Sequence, residues 1–337
     1  MKRILWMNMA ASILFLLLSF MSSGQLLAAP YYEGKRITIV VGSLPGGGYD
    51  RMARLIAKHL PKHIPGKPTI IVENVPGAAS MITANRIYNI AKPDGLTIGA
   101  FQRGIPLAQL MKAEGVKFDV MKYAWIGSPA VEATVLTLRT DLPYKSVDDI
   151  LKAKAPIMLG SSGPTESSAQ FALLLKEFLG LKLEMVVYIT GNEASLAIEK
   201  REVDGRAGSF SSLKALIDRG VVRPLIRGKA SEPEIENLPV DEDLTPDRKG
   251  KIIMAMRSTL EVIGRPFVAP PGTPTPIMTI LRDGFAKVTK DPEFLGEAKK
   301  FGISIDYISA EETLKKLDFF FNQPEDIVKE FGRYVKF

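Results

Sequence analysis

The residues best placed to do chemistry sit in four short loops. The first, Ser43-Leu44-Pro45-Gly46-Gly47-Gly48-Tyr49-Asp50, follows an apolar run and precedes a helical pattern. Glycines at such a junction let backbone N–H groups approach a ligand, and a helix start favours an anion. No Gly-Lys-Ser/Thr follows, so this is not a P-loop, and the Gly-x-Gly-x-x-Gly spacing of a dinucleotide fingerprint is absent. Two readings stay open here: an anion site, or only a tight strand-to-helix turn. The other loops are Val75-Pro76-Gly77-Ala78-Ala79-Ser80, Gly160-Ser161-Ser162-Gly163-Pro164-Thr165-Glu166-Ser167 and Thr190-Gly191-Asn192-Glu193. All four come after the carboxyl end of an expected strand, where open α/β sheets bind ligands. Arg103, in Gln102-Arg103-Gly104, also ends a strand. It could pair with a carboxylate, or lie as a solvated loop arginine.

Sets of residues for bond-making are missing. The chain has no cysteine, which excludes disulfides, thiolate metal sites, a Cys nucleophile and a cysteine-linked lipid anchor. His59 and His63, near Pro61, are its only histidines. Their spacing could hold a metal, but a surface pair is the plainer reading, and nothing places a Ser and an Asp around either. Asp148-Asp149 and Glu311-Glu312 read as solvated helix faces rather than general acids. The expectation is a binding protein with no catalytic residues, no cofactor and no metal.

The elements that must position these loops follow from periodicity. Ile37 to Val41 is a β-branched run and reads as a buried strand. Met52, Leu55, Ile56 and Leu60 then recur at helical spacing, with Arg51, Arg54 and Lys58 on the other face, until Pro61 stops the helix. Thr69 to Val72 is a second strand; Met81, Ala84, Ile87 and Tyr88 mark a helix; Thr97 to Phe101 is a third strand. This alternation predicts a parallel sheet covered by helices. The rhythm restarts after Ser146, a candidate N-cap. A strand over 157–159, a helix through Phe171, Leu174, Leu175 and Phe178, a strand over 185–188 and a helix over 194–200 follow. Residues 231–250, rich in Pro, Asp and Glu, read as an exposed loop. Residues 277–337 read as mostly helical, with Phe319, Phe320 and Phe321 as packing residues.

Address and charge narrow the class. Lys2 and Arg3, an apolar run over 13–20 and small residues up to Ala28 and Ala29 make residues 1–29 a cleavable signal peptide. The apolar run is short against the roughly 20 residues a spanning helix needs. About 308 residues would remain, enough for two lobes. Losing Lys2 and Arg3 takes the net charge from +7 to about +5. That excess is spread thinly, without the basic block that nucleic-acid binding calls for. A mildly positive field suits an anionic ligand, and equally suits solubility alone.

Taken as an ordered set, these segments resemble the solute receptors of tripartite tricarboxylate transporters, also called the Bug family. The resemblance is carried by Pro45-Gly46-Gly47-Gly48-Tyr49-Asp50 with Ala53-Arg54, Val72-Glu73-Asn74 with Pro76-Gly77-Ala78, and Lys92-Pro93-Asp94-Gly95. Further on it is carried by Gly160-Ser161-Ser162-Gly163, Glu202-Val203-Asp204 and Ala269-Pro270-Pro271-Gly272-Thr273-Pro274. It covers nearly all of the chain after the leader. It implies an α/β, two-lobed periplasmic binding protein fold (type II-like) with two crossover strands and a ligand cleft between lobes. Residues 31–136 plus 265–337 would form lobe 1, and 137–264 lobe 2. By the same resemblance the ligand contacts would come from Gly47, Gly48, Tyr49, Asp50, Ala78, Ser162, Thr165 and Ser209, with Arg103 added from its own position.

The implied function is a periplasmic, monomeric receptor. It would capture a small organic anion, a carboxylate, and deliver it to the membrane permease subunits of a tripartite transporter. The alternative from another class is a receptor presenting its ligand to a sensor kinase; a periplasmic enzyme is disfavoured by the missing nucleophile and base. Several residues depart from the family pattern. Pro164 and Glu166 stand in the Ser-rich loop, a Ser or Ala replaces the His that often follows it, Gly208 stands where Asp is common, and the usual Trp-Tyr/Phe-Gly is missing near residues 260–264. Glu166 and Glu193 would repel a second carboxylate unless paired or protonated. Substrate identity is therefore not carried over.

Overall fold

The structure, a computed structural model, describes residues 30–161, 163 and 167–336. The expected signal peptide lies outside the described residues. So do two expected contacts, Ser162 and Thr165, together with Glu166.

Strand β1 (Arg36–Val41) buries Ile37, Ile39, Val40 and Val41 completely. An interior parallel strand is covered on both faces, which is why its sequence is an apolar run rather than an alternation. It pairs in parallel with β2 (Thr69–Asn74) and β3 (Thr97–Ala100). Helix α1 (Gly48–His59) follows β1 and buries Met52, Ala53, Leu55 and Ile56, the face its spacing predicts. The α-helix ends at His59, just ahead of Pro61 as expected, and one 3-10 turn, Leu60–His63, then carries Pro61 in a first-turn position where its missing N–H costs nothing. Helix α2 (Met81–Asn89) leads to β3, and α3 (Ile105–Leu110) to β4 (Ala124–Ser128).

The second sheet is built from β5 (Thr134–Arg139), α4 (Val147–Leu151), β6 (Ile157–Ser161), α5 (Ser167–Leu179), β7 (Leu183–Val187), α6 (Gly191–Glu199), β8 (Gly205–Ser209), α7 (Phe210–Asp218) and β9 (Val222–Arg227). Ser146 caps α4 in a reciprocal box with Asp149, as its position before the apolar pattern predicts. The chain continues through α8 (Asp241–Leu244) and α9 (Arg248–Ile263). It then runs through β10 (Phe267–Ala269), α10 (Thr275–Val288), α11 (Pro292–Lys300), β11 (Ile308–Ser309), α12 (Ala310–Phe321) and α13 (Glu325–Tyr334).

The strand orders are β11-β4-β10-β3-β1-β2 and β7-β6-β8-β5-β9. The expected parallel pairing holds for β1, β2 and β3, while β10 is antiparallel to β3 and β4, and β5 is antiparallel to β8 and β9. Strands β5 and β10 are the first after the chain changes sheet. The passages, residues 129–133 and 264–266, lie side by side. Arg265 N donates to Ala130 O at 3.2 Å and Glu132 N to Glu261 O at 3.0 Å. Gly264 is required there twice over: its φ is +57°, and a Cβ would fall 2.0 Å from Ala130 O.

Three further readings change. Thr134, Val135 and Leu136, counted above with the first lobe, hydrogen-bond in the second sheet. Residues 231–250 are not an exposed loop throughout: Ile235, Asp241 and Thr245 are buried, and α8 lies among them. Phe320 is fully buried against Phe331, whereas Phe319 is 38% exposed. Helix α12 packs on β4 and on α9, while α13 packs on α5 and α9. The chain thus passes between the two halves a third time, at residues 322–324.

Candidate functional site

A cavity of about 330 Å³ lies between the two halves. Its first-sheet wall is Tyr49, Ala79, Gln102 and Arg103, from the loops after β1, β2 and β3. Its second wall is Ser167 and Gln170 at the start of α5, with Arg257, Leu260 and Glu261 on α9. Glu132, from the first passage between sheets, forms the floor between them, and Val335 and Lys336 close one side. A larger groove of about 470 Å³, lined by Lys214, Leu295 and Ser304 among others, collects none of the strand-end loops.

Tyr49 is held by two main-chain groups. Its hydroxyl accepts from Arg103 N at 3.1 Å and donates to Gly264 O at 3.4 Å. Burial pushes its pKa above the usual value, so the phenol stays protonated and keeps donating. Arg103 sends Nη1 to Glu132 Oε2 at 3.0 Å and Nη2 to Ser167 Oγ at 3.4 Å, reaching from the first half to the second. The other oxygen of Glu132 accepts from Arg265 Nη2 at 2.7 Å, and Arg265 Nη1 donates to Gly48 O at 3.2 Å. Burial alone would raise the Glu132 pKa, but the two guanidiniums hold it below its ordinary value.

A second ionic group stands on α9. Arg257 forms a two-pronged pair with Glu261, Nη1 to Oε1 at 2.6 Å and Nη2 to Oε2 at 3.1 Å, and approaches Asp241 Oδ2 at 3.4 Å. Its guanidinium lies 4.3 Å from the centre of the Phe171 ring. Its Nε is buried without a hydrogen-bond partner among the described residues. Asp241 is fully buried, and that burial, with Glu261 adding to it against Arg257, lifts its pKa to about 7.

The loop after β2 is strained. After Gly77, residues Ala78, Ala79 and Ser80 all have positive φ, at 43°, 49° and 76°. Side chains resist this backbone region, so something must hold it. Ser80 does: buried, its Oγ donates to Gly42 O at 2.7 Å and accepts from Gln102 N at 3.2 Å. That bond aligns the loops after β1, β2 and β3 on one another and sets Ala79 against the cavity.

Of the nine candidate contacts, the structure brings Tyr49 and Arg103 together on the cavity wall. Gly47 is exposed at the N-cap of α1, and Gly48 lies under Arg265. Asp50 turns inward. It is 2% exposed and accepts from Gly46 N at 2.8 Å, Arg54 Nε at 3.0 Å and Asn74 Nδ2 at 2.8 Å, so it shapes the Gly-rich loop. Ala78 is exposed beside the lining residue Ala79. Ser209 caps α7, where its carbonyl accepts from Ser212 Oγ at 2.8 Å. Glu193, in the first turn of α6 behind the cap Thr190, accepts from Ile189 N at 3.1 Å and does not line the cavity. Sequence reasoning missed Glu132, Ser167, Gln170, Arg257 and Glu261. An Arg and a Glu four apart within the mostly apolar stretch 252–263 were the available signal.

The reading of His59 and His63 as a surface pair is also corrected. His59 is 4% exposed, edge-on to Phe294, with Nε2 3.4 Å from Glu297 Oε2. His63 Nε2 lies 2.8 Å from Asp291 Oδ2. Donor atoms of His59, Asp291 and Glu293 fall within 4.8 Å of one another. The ammonium of Lys62 already sits on both carboxylates, at 2.7 and 2.8 Å, where a cation would go.

Two mixed sheets joined by paired passages, with the strand-end loops facing a shared cavity, are what the ordered motifs imply. Residues 52–332 match the family described as the tripartite tricarboxylate transporter family receptor. The chain belongs to this receptor family. A Bordetella pertussis relative, described as a UPF0065 protein, is 24% identical over 310 residues, covering 90% of this chain and 92% of its own. A TctC solute-binding protein from Polaromonas, solved without ligand, shares the fold with a TM-score of 0.73 at 20% identity, over 89% of this chain and 99% of that one. A Rhodopseudomonas palustris protein solved with adipate gives a TM-score of 0.61 at 21% identity, over 88% and 97%. The receptor's family and structural neighbours are solute-binding proteins, not enzymes. No helix among its described residues is long and apolar enough to cross a membrane.

Proposed function

We propose that the receptor binds a small organic carboxylate between its two halves, in the periplasm and as a monomer, and delivers it to the permease of a tripartite transporter. The observation that carries this reading is Arg103. It stands at the carboxyl end of β3, lines the cavity and reaches Ser167 on the facing half at 3.4 Å. A guanidinium and a hydroxyl placed across a cleft are what a carboxylate would bridge. The bound adipate of a neighbour of like fold supports the same ligand class. The moving bodies would be the two sheets with their helices, hinged where residues 129–133 lie against 264–266. Isothermal titration against a panel of small carboxylates, paired with small-angle scattering, tests it. The expected result is binding of at least one carboxylate with a measurable decrease in radius of gyration. Absence of heat and of compaction across the panel overturns it.

A further inference from the structure

The last described residues of the chain belong to the cavity wall, although they stand at the end of a helix and not at a strand end. Helix α13 stops at Tyr334, and Val335 leaves it in an extended conformation (φ −112°, ψ 116°). Val335 is buried in the core that holds Phe171, Leu174 and Leu260. One residue on, the buried Gln170 of α5 donates its Nε2 to Lys336 O at 2.8 Å. A buried valine and a buried amide thus pin the tail at two successive residues, which sets Lys336 against the cavity. Lys336 differs from the other cations of this wall. Arg103 is paired with Glu132, and Arg257 with Glu261 and Asp241. Arg333 on the same helix and Lys249 on α9 both meet Glu330. Lys336 has no carboxylate partner among the described residues; its ammonium rests on Gly332 O, a neutral carbonyl in the last turn of α13. A lysine stem is flexible, and its ammonium can swing from such a carbonyl to an anion, which accepts more strongly. Ser167 and Gln170 are three apart on α5 and so share a helix face. Arg103 reaches the first and the tail is held by the second. Two cations, one from each half, therefore approach the same stretch of wall.

We infer that Lys336 is a ligand-contacting residue: its ammonium leaves Gly332 O to pair with the bound carboxylate, so that the C-terminal tail completes the cleft. The inference rests on the carboxylate-receptor reading above and adds to it a residue from outside the strand-end loops.

Titration calorimetry with hexanoate, phenylacetate, adipate and citrate finds the tightest probe for the unchanged protein, and the variants are then compared on that probe. Lys336→Gln should weaken it by about tenfold or more, the worth of a hydrogen bond between charged groups. Lys336→Arg keeps the charge and should retain most of the affinity. Arg333→Gln removes the same charge from a side chain that is 62% exposed and does not line the cavity. It should stay within about twofold of the unchanged protein, because salt screens an exposed charge at that remove. Lys336→Gln also keeps the carbonyl that Gln170 holds, so its melting temperature should not move. Unchanged or tighter binding by Lys336→Gln overturns this inference and leaves the receptor reading standing. An equal loss in Arg333→Gln does the same, since it would reduce Lys336 to part of a general positive field. No heat from any carboxylate with the unchanged protein overturns both.

Discussion

Two arginine–glutamate groups border the same cavity, and they are built differently. Arg257 and Glu261 lie four residues apart on one helix, 4% and 3% exposed, over the face of Phe171. Arg103, Glu132 and Arg265 come from three separate segments, are 11–19% exposed, and touch both halves of the molecule. The first is a dry, local pair whose geometry is fixed by its helix. The second is a wetter, long-range relay whose geometry depends on how the halves sit. A charge of the first kind is a wall; a charge of the second kind is a contact that a ligand can replace.

The largest expected effect is on the wall. Arg257→Ala leaves Glu261 and Asp241 buried without a cation, and should cost about 3–5 kcal/mol in chemical denaturation. A loss below about 1 kcal/mol would show that water reaches this pair and the contrast is false.

Next comes pH. Asp241 has a folded pKa of about 7, against an ordinary value of 3.8. The folded state therefore holds a proton that the unfolded state releases, so this group's contribution to stability is full below about pH 4 and is lost as pH rises through about 7. Asp241→Asn should remove that slope and stabilise the protein at pH 8 by on the order of 2–4 kcal/mol. Parallel slopes in both proteins between pH 5 and 8 would place the titration elsewhere.

The smallest effect on stability is expected in the relay. Arg103→Ala should cost about 1 kcal/mol, because Glu132 keeps Arg265 and water can reach the vacated side. Carboxylate affinity should nonetheless fall by about tenfold or more. Equal losses of stability from Arg103→Ala and Arg257→Ala would erase the distinction between the two groups.

What could be read in the sequence divides along the same line. The strands and helices of the first half were legible because their signals are local: the β-branched run of β1 and the helical spacing of Met52, Leu55 and Ile56. The order of the loops made the family legible as well. The site was legible only in part. Tyr49 and Arg103 stand at strand ends, where topology alone aims residues at a ligand. Glu132 meets Arg265 across 133 positions of chain, a pairing that no local pattern encodes. Asp50 was misread for a related reason: Gly46 is a near neighbour, but Asn74 comes from the end of β2, and together they turn the carboxylate inward. The acidic, proline-rich stretch 231–250 looked solvated by composition, yet Asp241 is buried because Arg257 waits beneath it.

The third passage of the chain bears on mechanics. Two adjacent strands of chain, as at 129–133 and 264–266, would serve the proposed closure as a pin. A further link at 322–324, between α12 on β4 and α13 on α5, lies away from that pin. Phe320 and Phe331 pack edge to face across that link, so the two helices it joins share one core. Under the proposed closure, α12 and α13 would therefore have to move as one piece, and the third link would join that piece to the halves through side-chain packing rather than through slack in the chain.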